Sequence, residues 1–187
     1  MGHHTFDAER AATLEDAGRR YRYVSREELL WALALDGTET VADLGSGTGF
    51  YTDDVAARAG HVYGVDIQPA MHDYYREKSL PDNVELVESD VATLPFADDA
   101  LDAAVSTMTY HEFASDDALA ELARTIRPGG RLVVADWSAG GEGEAGPPLT
   151  ERYDLDTVTR ALAGAGFEME LATDRPETLF VAAVRDE

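Results

Sequence analysis

The chain of 187 residues contains no cysteine, and its 15 basic residues include a single lysine, Lys78. Without cysteine there is no disulfide framework, no covalent thiolate and no thiol ligand for a metal. No apolar run approaches the roughly 18 residues that a membrane-spanning helix needs, and the first residues lack the basic and apolar regions of a signal peptide. These absences predict a cytoplasmic protein that does not insert into a membrane.

Positive charge is scarce as well. Asp and Glu total 37 against 15 Lys and Arg, which leaves a formal net charge of -22. Nucleic-acid binding normally needs a basic surface that releases counterions from phosphates, so we expect no nucleic-acid partner. The acidic residues are spread over the whole chain, which is typical of a halophile-like surface whose repulsion salt screens. An acidic protein without salt adaptation is the alternative.

Short apolar runs alternate with amphipathic stretches along the chain. This alternation predicts one α/β domain with a doubly wound, mostly parallel sheet and helices on both faces. Only 173–177 separate the last two runs, which is too short for a crossover helix, so these strands are expected to form an antiparallel hairpin. The seven predicted strands are 40–44, 61–66, 83–88, 101–106, 131–137, 167–172 and 178–184.

Two helices are predicted before the first strand. The first covers 7–17. Ser25 and Glu28 form a capping box for the second, because a serine and a glutamate at this spacing satisfy free N–H groups reciprocally. We therefore expect residues 1–36 to form a helical cap on a core of residues 37–187, within a single domain.

The best-marked helix of the core opens at Ser115. Apolar residues recur along it at helical spacing, and Arg124 and Arg127 are predicted to lie in its last turn. The Pro-Gly-Gly run at 128–130 is expected to end this helix before the fifth strand. A last helix is predicted over 154–165.

Segment 138–148 is rich in glycine and proline, which predicts a loop. It follows the fifth strand at its carboxyl end, where open α/β sheets bind ligands, so a mobile lid and a solvated connector are both open interpretations. His3 and His4 are too few to indicate a tag or a metal site, and we treat them as surface residues. No clustered set of acids and histidines predicts a metal.

The most informative segment is a buried strand that runs into the glycine-rich turn 45–49 and then into a helix. Glycines let the backbone turn tightly and approach a ligand, and the helix offers free N–H groups at its start. A dinucleotide fingerprint would be G-x-G-x-x-G, but here the third glycine, Gly49, falls one place early. Asp43, just ahead of the turn, suits the ammonium group of a methionine moiety better than a pyrophosphate.

The segment D-x-G-x-G-x-G from Asp43 to Gly49 resembles the first motif of the class I methyltransferases that use S-adenosylmethionine (SAM). Later segments are similar to the same family in order and spacing. Asp66 ends the second strand about 20 residues beyond the turn, Asp90 follows the third strand, and an R-P-G-G-x-L segment covers 127–132. The resemblance implies a Rossmann-like fold, with SAM as cofactor and S-adenosylhomocysteine (SAH) as product.

The resemblance also implies which residues hold the cofactor. Asp66 would accept hydrogen bonds from both ribose hydroxyls, Asp90 would receive the adenine amino group, and the N–H of Val91 would contact the ring. Each acid has a plainer interpretation as a cap or turn residue, but three acids at three successive strand ends fit one adenosine ligand. The predicted cofactor residues are Asp43, Gly45, Ser46, Gly47, Gly49, Tyr51, Asp66, Ile67, Asp90, Val91 and Thr107.

The family places the residues that face the methyl group at the end of the fourth strand. His111 is the candidate general base, because the intrinsic pKa of histidine is near neutrality, and Tyr110 is a second catalytic candidate. Either side chain could instead only shape the pocket. Tyr21 and Tyr23, which precede the core, could line an acceptor pocket or simply pack.

Motifs and residues that the chain lacks also narrow the range of possible methyl acceptors. No Asn/Asp-Pro-Pro-aromatic segment follows the fourth strand, which opposes methylation of adenine or amide nitrogen. The absence of cysteine opposes cytosine-C5 and arsenite methylation. A small organic acceptor remains, methylated at O, N, S or C, as in the branch similar to the ubiquinone and menaquinone biosynthesis methyltransferases. A non-catalytic SAM-binding regulatory module and an NAD-dependent oxidoreductase are the alternatives. Nothing in the sequence predicts the oligomeric state.

Overall fold

The computed structural model describes residues 8–187, and the predictions for His3, His4 and the first residue of the 7–17 helix lie outside them. No helix of this described part is long and apolar enough to cross a bilayer. The strands are β1 (Thr40–Leu44), β2 (His61–Asp66), β3 (Val84–Glu88), β4 (Leu101–Thr107), β5 (Ile126–Trp137), β6 (Phe167–Asp174) and β7 (Thr178–Arg185). The helices are α1 (Ala17–Tyr23), α2 (Arg26–Leu33), α3 (Phe50–Ala56), α4 (Pro69–Lys78), α5 (Tyr110–Phe113), α6 (Asp116–Thr125) and α7 (Leu155–Gly164). Short 3₁₀ helices cover Ala8–Glu15, Val91–Thr93 and Leu149–Glu151.

The strands form one seven-stranded sheet in the order β3-β2-β1-β4-β5-β7-β6. β1 pairs in parallel with β2 on one side and with β4 on the other. The chain therefore winds outward in opposite directions from β1 and β4, and open α/β sheets bind ligands beyond the carboxyl ends of the strands at such a point. The predicted doubly wound sheet is confirmed.

The predicted C-terminal hairpin is also confirmed. β7 runs antiparallel to both β5 and β6, and the N–H of Arg175 donates to the carbonyl of Thr178 at 2.8 Å to close the turn. This arrangement inserts β7 between β5 and β6. β5 therefore has a partner on each side and lies inside the sheet.

Both faces of the sheet are covered. Val41 and Ala42 are neighbours in β1, point to opposite faces and are both completely buried. Val41 belongs to a core cluster that includes Leu29 and Leu33 of α2, whereas Ala42 belongs to a cluster that includes Leu122 of α6. A parallel strand with both faces buried does not alternate apolar and polar residues, and in β1 only Asp43 interrupts the buried apolar run from Val41 to Leu44.

The boundary between α6 and β5 differs from the prediction. α6 ends at Thr125 and β5 begins at Ile126, ahead of the predicted start. Arg127 is therefore a strand residue and not part of the last helical turn, and its Nε donates to Oδ1 of Asp102 at 2.7 Å. Because Ile126 pairs with Leu101 of β4, tertiary pairing extends the strand through the Pro-Gly-Gly run that predicted a stop.

The prediction of a single helix over 7–17 is wrong. Ala8–Glu15 form a 3₁₀ helix, and Asp16 caps the start of a separate helix, α1. A side-chain cap competes with helix continuation, which breaks the run at this residue. One half of the capping box predicted for α2 is confirmed, because Oγ of Ser25 accepts the N–H of Glu28 at 3.2 Å. Oε1 of Glu28 accepts a hydrogen bond from the guanidinium of Arg175.

Lys78, at the end of α4, joins the N-terminal segment to the core. Its Nζ lies 3.1 Å from Oε2 of Glu15 and 2.9 Å from Oδ2 of Asp53 in α3. The hydroxyl of Thr48, in the glycine-rich turn, also donates to the Glu15 carboxylate. The N-terminal 3₁₀ helix is thereby held beside the glycine-rich turn that follows β1.

Candidate active site

The glycine-rich turn after β1 forms one wall of a crevice at the carboxyl edge of the sheet. The N–H groups of Gly45 and Ser46 donate to the carbonyl of Val65 at 2.8 and 2.9 Å, which anchors the turn to the end of β2. Gly49 starts α3 at φ 80°, and a Cβ there would lie 2.1 Å from the ring of Tyr75. Only glycine fits both the backbone angle and this close approach.

The crevice encloses about 880 Å³ of space, a volume that includes its open mouth. Its walls come from the turn and from the ends of β2, β3 and β4. The structure brings eight of the predicted cofactor residues together there: Gly45, Ser46, Gly47, Asp66, Ile67, Asp90, Val91 and Thr107.

Two backbone hydrogen bonds hold the Asp66 carboxylate in the crevice. Its Oδ2 accepts the N–H of Gly47 at 2.8 Å, and its Oδ1 accepts the N–H of Gln68 at 2.9 Å. Burial raises the pKa of this carboxyl, and the two backbone hydrogen bonds oppose that rise. Each oxygen retains a further lone pair, so the carboxylate is oriented and can accept hydrogen bonds from a pair of ligand hydroxyls.

Asp90 both caps a helix and lines the crevice, which are the two interpretations that the sequence allows. Its Oδ1 accepts the N–H of Ala92 at 2.9 Å and so caps the 3₁₀ helix Val91–Thr93. The same residue lines the crevice beside Val91, whose side chain is buried. The cap therefore positions an acid and an apolar side chain together at the end of β3.

Asp43 lies beneath the turn and not on the crevice wall. Its side chain is 1% exposed, and its Oδ2 accepts the hydroxyl of Thr52 at 2.6 Å. Burial raises the pKa of this carboxyl to about 6. Asp43 does not line the crevice, but its Oδ1 has no hydrogen-bond partner within residues 8–187, so the contact with a ligand ammonium group stays a prediction.

Tyr51 also departs from the predicted cofactor set. Its hydroxyl lies 2.9 Å from the carbonyl oxygen of Arg20 and 3.0 Å from that of Val24, so the ring packs under the N-terminal helices. The ring lines a second cavity beside the crevice. Tyr51 is a wall residue of that second cavity because α3 turns its side chain away from the glycine-rich turn.

The second cavity adjoins the crevice, and both are lined by Leu14, Arg20, Met108 and Glu112. Of the two tyrosines left open by the sequence, Tyr23 lines this cavity. Tyr21 packs instead, with its hydroxyl donating to Oδ2 of Asp54 at 2.7 Å. A ligand in the second cavity would therefore lie next to a ligand in the crevice.

His111 lines the second cavity, and the buried Asp136 contacts it from behind. Nδ1 of His111 lies 3.0 Å from both carboxylate oxygens of Asp136, and the backbone N–H of His111 donates to Oδ2 at 2.6 Å. Burial by itself would lower the pKa of His111, but the hydrogen bond and charge of Asp136 outweigh burial and raise it. Nε2 of His111 lies 3.9 Å from Oε1 of Glu112.

The sequence did not single out Asp136. It lies in β5, beside the carboxyl end of β4, and reaches His111 because these two strands are neighbours in the sheet. An acid in an otherwise apolar strand, Leu132–Trp137, is the signal that could have identified it, because a buried carboxylate needs a partner.

The polar groups of the crevice suit a ligand with hydroxyl and charged groups. Oδ1 of Asp43 and Oγ of Ser46 are buried and lack a hydrogen-bond partner within residues 8–187. Buried polar atoms without partners are rare and mark places where a ligand or a water completes the hydrogen bonding. With the oriented carboxylate of Asp66, they fit a cofactor that carries a ribose and an amino-acid moiety.

Comparison with known proteins agrees with this geometry. A family model described as a methyltransferase domain matches residues 42–134, which run from β1 into β5. A structure described as a SAM-dependent methyltransferase from Aquifex aeolicus superposes with a TM-score of 0.85 and 29% identity, over 97% of this chain and 100% of that one. The chain belongs to the class I SAM-dependent methyltransferase family.

Two curated relatives of this chain are named for different methyl acceptors. A demethylmenaquinone methyltransferase of Corynebacterium kroppenstedtii is 38% identical over 101 residues, which are 54% of this chain and 42% of the relative. An arsenite methyltransferase of Halobacterium salinarum is 33% identical over 156 residues, which are 77% of this chain and 38% of the relative. The chain spans half or less of the length of the first curated relatives it matches.

Tyr110 does not line either cavity. Its side chain is 2% exposed and packs in the core against Phe113 and Tyr153, with ring centroids 5.5 and 6.0 Å away. Burial raises the pKa of its phenol to about 12. The one-turn helix α5 directs Tyr110 inward, so its hydroxyl is not on the wall of either cavity.

The glycine-rich segment 138–148 forms part of the wall of the second cavity and is held there by hydrogen bonds. The guanidinium of Arg152 donates to the carbonyl of Pro147 at 2.9 Å and pairs with the Glu177 carboxylate at 3.2 Å. Oε1 of Glu177 in turn accepts the backbone N–H groups of Glu142 and Glu144 at 2.9 and 3.3 Å. This buried pair satisfies the loop's backbone from inside, which favours a fixed connector over a mobile lid.

Proposed function

We propose that this protein transfers the methyl group of SAM to a small organic acceptor and releases SAH. The observation that carries the proposal is that the crevice, which holds the family's motif residues, shares lining residues with a second cavity, and that this cavity is lined by His111, which Asp136 holds in place. Two adjoining cavities suit two substrates that must meet in line.

Residues of the crevice would hold the cofactor. Asp66 would accept the ribose hydroxyls, Asp90 and Val91 would contact the adenine, and the turn with Thr107 would contact the methionine moiety. When bound, SAM supplies a methyl group made electrophilic by the positive sulfonium. The chain's own contribution is to orient this end of the ligand toward the second cavity and to exclude water from it.

His111 would act as a general base for an acceptor O–H or N–H group. The Asp136 carboxylate only accepts hydrogen bonds, so it favours the tautomer with the proton on Nδ1. This tautomer leaves the lone pair of Nε2 to take the acceptor's proton. The acceptor atom gains the methyl group, its proton passes to Nε2, and the electron pair of the broken carbon–sulfur bond stays on sulfur.

The chemistry of the chain favours an organic acceptor. Arsenite methylation needs thiol ligands, and the chain has no cysteine, although one relative is an arsenite methyltransferase. Nucleic acid is disfavoured by the net charge of -22. The demethylmenaquinone methyltransferase relatives support the quinone-biosynthesis-like branch and a small acceptor with a ring.

Calorimetric titration with SAH tests the cofactor half of this proposal. We expect wild-type protein to bind SAH, and the variant Asp66→Ala to bind it roughly 10-fold to 100-fold more weakly, because it loses charge-assisted hydrogen bonds to two hydroxyls. Asp82→Ala removes the same single negative charge at an exposed position and is the matched control. Folded wild-type protein that does not bind SAH would overturn the proposal, and SAH release from SAM with acceptors separates an enzyme from a binding module.

A further inference from the structure

Arginines of the N-terminal segment converge on the second cavity. Arg10, Arg19 and Arg20 all line it, although the chain carries only 15 basic residues and a net charge of -22. A cluster of cations in such an acidic protein creates a local field that attracts anions. Arg10 comes from the 3₁₀ helix, and the other two come from α1.

Arg20 is held there with part of its guanidinium unsatisfied. Its Nε is buried and lacks a hydrogen-bond partner within the described residues. The guanidinium carbon lies 4.7 Å from the ring centroid of Tyr51 and 5.5 Å from that of Phe50, so aromatic faces support it. Burial lowers the pKa of Arg20 and neighbouring Arg19 adds to that effect, whereas Tyr51 and nearby acids oppose it. An anionic ligand beside the two guanidinium groups would offset the repulsion between them.

The core side of the same cavity has the opposite character. His111, Glu112 and Glu151 line it, and the charges of both glutamates raise the pKa of His111 further, after the larger effect of Asp136. These carboxylates repel an anion and favour a neutral group that can donate a proton. The cavity is therefore polarised, with cations on the N-terminal side and a base with acids on the core side.

Aromatic side chains form the remaining walls. Tyr23 and Trp137 line the cavity and meet edge to face, with ring centroids 4.8 Å apart. Flat, rigid walls of this kind pack well against a planar ring. Pro147 and Pro148 of the anchored loop close the same side.

We propose that the acceptor of this methyltransferase is an aromatic acid: a planar ring with an anionic group that binds Arg19 and Arg20, and a hydroxyl or amino group that faces His111. The inference rests on the proposed function, because it treats the second cavity as the acceptor site. It adds the charge and the orientation of the acceptor, which neither the family nor the motifs specify.

Binding of defined probes to the SAH-loaded full chain tests this inference. The probes are para-hydroxybenzoate and para-hydroxycinnamate, each compared with its neutral primary amide. The chain has two tryptophans, and Trp31 is 70% exposed on α2, so the background variant Trp31→Phe leaves Trp137 as a fluorescence reporter on the cavity wall. We expect at least one acid to bind about 10-fold or more tightly than its amide, as for a hydrogen-bonded charge.

Matched arginine variants test which side chain binds the anionic group of the probe. Arg19→Gln is expected to remove most of the preference for acid over amide, and Arg19→Lys to retain part of it. Arg58→Gln makes the same charge change at an exposed site just after α3 that does not line the cavity, and it is expected to keep the preference. Arg20→Gln is measured with SAH and with the acid separately, because Arg20 borders both cavities.

Three results would overturn the inference: equal binding of acids and amides, equal losses in Arg19→Gln and Arg58→Gln, or no binding of either acid to the SAH-loaded protein. A protein that binds SAH but shows one of these results retains the proposed function and loses only the aromatic acid. A protein that does not bind SAH at all contradicts the proposed function itself.

Discussion

The carboxylate of Asp136 holds His111 at two points, accepting its backbone N–H at 2.6 Å and lying 3.0 Å from Nδ1 of its ring. It also accepts the N–H of Trp137 at 2.7 Å, so the acid is fixed by the strand that carries it. One buried charge therefore fixes the position of the histidine, favours one tautomer and raises the pKa of the ring.

The first prediction concerns the pH profile of methyl transfer. A general base must be neutral, so activity with a hydroxyl acceptor falls as pH drops below the raised pKa of His111. Asp136→Asn removes the charge that raises this pKa, and we expect the acidic limb of the kcat/KM profile to move to lower pH, with a lower maximal rate. His111→Gln is expected to remove the limb and reduce kcat about 10²-fold to 10⁴-fold, while SAH affinity stays at the wild-type value. An acidic limb that stays in place in both variants would contradict a role for this pair.

The second prediction concerns Asp43 and stability. Its pKa is about 6 in the folded protein against an ordinary value of 3.8, so the folded state holds this proton more tightly than the unfolded chain does. The stability that the group provides is complete below pH 3.8 and is lost as pH rises to 6. Asp43→Asn should therefore gain stability over wild type across this window, by up to about 3 kcal/mol above it.

Urea unfolding of both proteins across the same pH range measures this gain. Asp82→Asn, at an exposed position, is the control and should show no comparable pH-dependent difference. A difference between Asp43→Asn and wild type that does not change with pH would exclude the raised pKa as its cause.

The third prediction concerns the glycine-rich turn. Gly49→Ala forces a side chain into a backbone with φ 80° and places its Cβ 2.1 Å from the ring of Tyr75. We expect a loss of roughly 2–4 kcal/mol in the free energy of unfolding, because backbone strain and overpacking add, together with loss of SAH binding. Gly164→Ala, in α7 with nothing within 4 Å of its Cβ, should instead stabilise the protein slightly. Similar unfolding curves for the two variants would contradict the steric argument.

The fourth prediction concerns salt. With a net charge of -22, repulsion among surface carboxylates opposes the compact state, and dissolved ions screen it. We expect the melting temperature to be higher in molar KCl than in dilute buffer, as for a halophilic protein. Sucrose at the same osmolality is the control for a general solute effect. An equal rise of the melting temperature in sucrose, or no rise in KCl, would contradict salt adaptation and favour an acidic protein without it.

Much of the fold could be predicted because its signals are local. The short linker 173–177 forces a hairpin, the apolar runs mark strands, and the glycine turn with Asp66 and Asp90 marks the ligand edge. These features depend on spacing along the chain, since the carboxyl ends of parallel strands share one edge of a sheet. The prediction was wrong where pairing with a distant strand overrode a local stop, as at Arg127 beside Asp102.

The sequence by itself determined the α/β class, the order of the motif residues and the edge of the sheet at which they meet. Only the tertiary structure decided that Asp43 lies beneath the turn, that Tyr110 faces the core, that Asp136 reaches His111, and that α1 brings its arginines to the second cavity. The physical reason is that the face a side chain occupies, and the neighbour it meets there, depend on strand order and helix packing across the whole chain. A local pattern of residue types contains no information about which distant element will lie beside it.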